Sequence, residues 1–109
     1  YEVPITSLGK APLPLGLSYL RFLGPKLTKI ILRQIDLPNT VVFYFHIHDL
    51  VRTENIKTLP QHLRLAYTHN VSYGANIMQM FCEEMRMRGY IFSTMNQLVN
   101  LKIDKTTLQ

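Results

Sequence analysis

An α/β fold with a few mostly parallel strands is the class this sequence predicts, on two apolar runs and the helical patterns around them. Val41-Val42-Phe43-Tyr44-Phe45 is an unbroken β-branched and aromatic run, and Tyr90-Ile91-Phe92-Ser93 is a shorter one. Both read as buried strands. The surrounding periodicity gives the order helix, strand, helix, helix, strand, helix, which suits a parallel layout.

Taken in order, Glu2-Val3-Pro4-Ile5-Thr6 reads as a short extended segment, with Pro4 at a strand edge or start. Residues 9–16 hold Pro12 and Pro14 and form a loop. A short helix over Leu17–Leu23 ends at Gly24, and Pro25 suits the first turn of the next. In that second helix Leu27, Ile30, Ile31 and Ile35 recur at helical spacing, with Lys26, Lys29 and Arg33 opposite. Asp36-Leu37-Pro38-Asn39 turns the chain into the Val41 run. A polar connection over Arg52–Thr58 reaches a helix over Pro60–Tyr67. A longer helix runs over Tyr73–Arg88 with Met78, Phe81, Cys82 and Met85 inward, and Glu84 and Arg88 stand at i,i+4. Gly89 falls at its C-cap. Thr94 caps a last short helix through Val99. Residues 1–101 then form one unit, and 102–109 a tail without periodicity.

The chain has 109 residues, 47% of them hydrophobic and 17% charged. That suits one small domain or a piece of a larger one. Charge this far below the usual level of roughly 25% predicts an apolar flank. Missing strands would cover it, or a partner, and a homo-oligomer through this flank is the candidate assembly. The net charge of +5 is dispersed, so no nucleic-acid footprint is expected, and the Lys26/Lys29/Arg33 stripe reads as a solvated helix face. No apolar run approaches the roughly 20 residues that span a bilayer, so no membrane partner is expected. Cys82 is the only cysteine. It excludes an intrachain disulfide and reads as a buried inert thiol in a reducing, cytoplasmic compartment.

The strand Val41–Phe45 runs into His46-Ile47-His48-Asp49. Residues two apart on a strand face one side, so His46 and His48 would project together. Imidazole and carboxylate suit zinc, or an acid–base histidine held by a carboxylate. A complete metal site needs further ligands, and His62 and His69 read as surface residues, so no self-contained metal site is expected. Arg21 is a candidate for an anion, a carboxylate or a sugar hydroxyl, and otherwise an exposed helix charge. Four methionines between Met78 and Met87 read as core filling. Asn70-Val71-Ser72 matches the glycosylation tripeptide. No dinucleotide fingerprint, phosphate loop or nucleophile elbow is present in the sequence.

Glu2-Val3-Pro4-Ile5-Thr6, then Gly16-Leu17-Ser18-Tyr19-Leu20-Arg21, then Phe43-Tyr44-Phe45-His46-Ile47-His48-Asp49-Leu50 occur in a distinctive order. Leu59-Pro60, a long helix and Gly89-Tyr90-Ile91-Phe92 leading to Thr94-Met95 follow. In this order the chain resembles the C-terminal part of polysaccharide deacetylases with a NodB-homology domain (carbohydrate esterase family four), in the branch of exopolysaccharide gene clusters. The resemblance implies a C-terminal fragment of a distorted (β/α) barrel that removes N-acetyl groups from sugar polymers. It implies a divalent metal, usually zinc, in the complete domain. The metal-binding Asp and His-x-x-x-His of the family belong to earlier segments, so this fragment would hold no cofactor and be inactive alone. His46 matches the family's late-strand histidine, a general acid. Arg21 matches an arginine of the pattern, and His48 and Asp49 stand on the substrate side. Ile47, His48 and Asp49 replace the Pro, Trp and Glu of that branch. An N-acetylated polysaccharide or glycan is the implied partner. Two other readings stay open: an amidohydrolase-type metal hydrolase using His46 and His48, and a non-enzymatic interaction module.

Overall fold

A computed structural model describes residues 2–52 and 54–107, with side chains as far as Ile103. Five α-helices account for about half of it: α1 (Leu17–Leu23), α2 (Pro25–Gln34), α3 (Gln61–Thr68), α4 (Gly74–Met87) and α5 (Met95–Thr107). Single 3-10 turns cover Ile47–Asp49, Ile56–Thr58 and Val71–Tyr73. No helix of the described residues is long and apolar enough to cross a membrane.

Helices α1, α2 and α4 pack on one another and enclose the core. Leu15, Leu17, Leu20, Leu32, Ile77, Phe81 and Met85 are its fully or almost fully buried members. Burying each such side chain stabilises the fold by about 1.5–3 kcal/mol before entropy is charged. Gly24, at φ 83°, ends α1 and begins α2 in a single residue, a backbone conformation that favours glycine. Its N–H donates to the Leu20 and Arg21 carbonyls, while its own carbonyl accepts from Thr28 N–H.

The inner face of α2 differs from the expected one. Thr28 and Leu32 are buried, and Leu27 and Ile30 face solvent. Thr28 turns inward because its hydroxyl donates to the Leu20 carbonyl (2.8 Å), which satisfies the group inside the core. Glu84 likewise pairs across to Arg33 on α2 (3.0 Å), while Arg88 donates to the Leu32 carbonyl (3.0 Å). These links between helices replace the expected i,i+4 pair. Ile77 joins the inward stripe of α4, ahead of the half-buried Met78 and Cys82. Gly89 (φ 87°) closes α4, with Tyr90 N–H reaching back to the Met85 carbonyl. Thr94 caps α5 by accepting from Gln97 N–H (3.2 Å), and α5 runs on past Val99 to Thr107.

The expected α/β class, with parallel strands of a partial (β/α) barrel, is overturned. Among the described residues no strand forms, and only isolated bridges join Ser7 to Pro14 (antiparallel) and Gly16 to Tyr44 (parallel). Residues 41–45 are extended, and one edge is tied down. Thr6 N–H donates to the Val42 carbonyl (3.1 Å) and Leu17 N–H to the Tyr44 carbonyl (3.0 Å). Val42 N–H donates to Thr6 Oγ1 (2.8 Å). A strand is defined by its ladder, and a ladder needs a neighbour. The backbone groups of Val41, Phe43 and Phe45 face the other edge and have no partner among the described residues. The Tyr90 run also lacks a neighbour: Ile91 is 91% exposed and Phe92 is exposed. Apolar composition alone suggested both strands; pairing decides whether they exist.

A candidate histidine site on a buried carboxylate

The candidate side chains gather where the extended run ends and meets the first helix. Asp49 is 0% exposed, and its carboxylate is held from three sides. Ser18 Oγ donates to Oδ1 (2.6 Å), and the His46 backbone N–H donates to Oδ2 (2.9 Å). Arg21 Nη2 lies 3.8 Å from Oδ1. Asp49 N–H returns a bond to the His46 carbonyl (2.9 Å). The 3-10 turn over Ile47–Asp49 is therefore locked by its own last residue, in the manner of a helix cap.

Arg21 is buried to the same degree, at 2% exposure. Nη1 donates to the His48 carbonyl (3.0 Å) and Nη2 to the Ala66 carbonyl. Nε has no partner. Burial pulls this guanidinium below its ordinary value, and Asp49 opposes that pull. Two opposite charges buried together compensate one another where either alone would be costly. Ser18 and Arg21 lie one turn apart on α1, so one helix face supplies both. Gly74 makes the site compact at its floor: a Cβ there would collide with the Asp49 carbonyl oxygen.

The imidazoles sit above this centre. The His46 side chain is 55% exposed, with Nδ1 3.7 Å from Asp49 Oδ2. His48 is 26% exposed, with Nε2 4.0 Å from Oδ1. The two rings stack at 4.9 Å and 10°. Tyr44 meets His46 edge-on at 5.5 Å, and Tyr67 of α3 meets His48 at 4.4 Å. Burial pushes His48 below the ordinary histidine value, Asp49 opposes it, and His46 and Arg21 add to it. Tyr44 is pushed up by burial, then by Tyr19 and Asp49.

His46, His48 and Asp49 offer three donor atoms within 4.8 Å of one another, a spacing that invites a metal reading. The arrangement fits an ion poorly. A metal sits close to the plane of each imidazole that binds it, and two stacked, nearly parallel rings share no such point without rotation. Both Asp49 oxygens are also already hydrogen-bonded, and a buried guanidinium stands beside one of them. The arrangement is that of an exposed imidazole standing 3.7 Å from a fixed carboxylate.

The structure thus brings Arg21, His46, His48 and Asp49 together. Arg21 and Asp49 are turned inward, where they hold the turn, and His46 is the member that meets solvent. His62 lies exposed on α3, and His69 Nε2 lies 3.3 Å from the Phe22 carbonyl, away from the cluster. Asn70 of the glycosylation tripeptide donates its amide to the Arg21 carbonyl (2.9 Å), so that nitrogen is already engaged. Ser18, Tyr67 and Gly74 were missed from sequence. Only Ser18 carried a signal, its spacing of three from Arg21. No protein-family model, curated protein or solved structure matches the chain.

Proposed function

We propose that this chain is the C-terminal segment of a metal-dependent, polysaccharide deacetylase-like hydrolase, inactive alone, with His46 as its general acid. One observation carries the reading. The exposed His46 ring is placed over a fully buried carboxylate fixed by Ser18 and by the His46 backbone itself. Nδ1 is the ring nitrogen that faces Asp49, 3.7 Å from Oδ2, which leaves Nε2 for the substrate side. In the reaction, water adds to the acetamide carbonyl and the C–N bond breaks. The leaving nitrogen takes its proton from His46, and the water's proton passes to a carboxylate base in the parent's earlier segments. Products are acetate and the free amine of an N-acetylated polysaccharide. The residues present do not form the metal site, which the resemblance assigns to those earlier segments. Ser18, Arg21 and Asp49 position the acid and do not contact substrate. A cytoplasmic, reducing setting accords with the single free thiol, Cys82.

The reading frame upstream of Tyr1 tests this. It should encode an Asp-Asp pair and His-x-x-x-His; a start codon immediately before Tyr1 would sink the proposal.

A second reading has its own observation. The unpaired backbone edge at Val41, Phe43 and Phe45, with Phe45, Ile47, Ile91 and Phe92 exposed, suits an interaction module. It requires a stable oligomer at micromolar concentration, and a well-folded monomer in sedimentation would count against it.

A further inference from the structure

We infer that α3 is a lid over His48, hinged at His69–Asn70 and latched by Arg21 on the Ala66 carbonyl. Helix α3 lies against the most buried polar centre of the molecule, yet it buries no side chain of its own. Its packing is chiefly on the neighbouring Ile56–Thr58 turn, and Leu63 and Leu65 face solvent. A helix of eight residues without a buried face has little to hold it closed.

What holds it is concentrated at one end. Beyond its last turn, His69 packs on Phe22 at 4.8 Å, and Asn70, at φ 54°, donates to the Arg21 carbonyl. These contacts anchor the hinge to α1. Within α3, two contacts reach the site: the Arg21–Ala66 hydrogen bond and the Tyr67 ring on His48. The same guanidinium also binds the His48 carbonyl through its other terminal nitrogen. Opening therefore releases Ala66 while Arg21 keeps its bond to His48 and its place beside Asp49. The closed form covers His48 with Tyr67, and the open form uncovers it. The lid rests on this geometry alone. Under the hydrolase reading, its open form gives a polymer chain room beside His46.

Diethyl pyrocarbonate modification of the four histidines, mapped by mass spectrometry, tests the lid without any activity assay. In Tyr67→Ala the His48 rate should rise about two- to tenfold, the loss of one ring contact. His62, exposed on α3 itself, should react as in the native chain, and Tyr67→Phe should restore the native His48 rate. Hydrogen exchange on the unmutated chain gives the second arm. Amides of 63–68 should exchange together and at least about tenfold faster than those in the middle of α4. Protection of α3 equal to that of α4 would overturn the lid. So would a His48 rate in Tyr67→Ala equal to the native one.

Discussion

The Asp49 turn and α3 touch through one arginine and one tyrosine, yet they are built on opposite principles. Asp49 has no exposed surface, and each of its oxygens is hydrogen-bonded. Helix α3 contributes no buried side chain at all. One region is over-determined by charge and hydrogen bonding inside a low-dielectric shell; the other packs on the Ile56–Thr58 turn and reaches the site through Ala66 and Tyr67 alone. The difference locates precision and mobility. The carboxylate beside His46 is fixed from three sides, while the helix that covers His48 has no buried face to hold it.

Substitutions can break this contrast, and the largest effect should come from Arg21→Ala. Removing one partner of a buried pair strands the other charge, a loss of about 3–5 kcal/mol in denaturant unfolding. A change below about 1 kcal/mol would mean that water reaches Asp49 and the Arg21–Asp49 pair is not buried in solution. Ser18→Ala removes one hydrogen bond to the carboxylate and should cost about 1.5–3 kcal/mol. Gly74→Ala forces the first residue of α4 against the Asp49 carbonyl. It should cost about 1–3 kcal/mol, as overpacking does, and its thermal midpoint should fall accordingly.

A pH series sharpens the contrast further. Burial lowers the His48 value in the folded state, so the unfolded chain binds more protons through this group. Its contribution therefore favours folding above the ordinary histidine value near 6.5 and turns against folding as pH drops below it. His48→Gln should flatten the loss of stability below pH ~6.5, measured by urea midpoints. The smallest effect belongs to α3: Leu65→Ala, on an exposed side chain, should stay within about 0.5 kcal/mol of the native stability.

Much of the helical frame could be read in advance. Leu17–Leu23 is bracketed by Gly16 and Gly24, Pro25 opens α2, and Gly89 closes α4; each signal is local and acts on its own backbone. The strands could not be read, because a ladder needs a second segment and no residue in 41–45 or 90–93 encodes whether one is there. The face of α2 went wrong for a related reason. Ile30 looks more apolar than Thr28, but the Leu20 carbonyl, eight residues away, satisfies the threonine inside the core. At the site, the His-x-His-Asp spacing grouped these side chains by an argument about extended backbone. A 3-10 turn delivers those residues instead, and the partners that bury Asp49 come from α1, which only folding brings near.

Acetate release by the polypeptide of the complete reading frame, compared with its His46→Ala variant, is the most direct measure of the role given to His46. Loss of a positioned general acid should lower kcat about 10²–10⁴-fold on an N-acetylated glycan, with His62→Ala unchanged as the surface control. Undiminished turnover in His46→Ala would contradict that role.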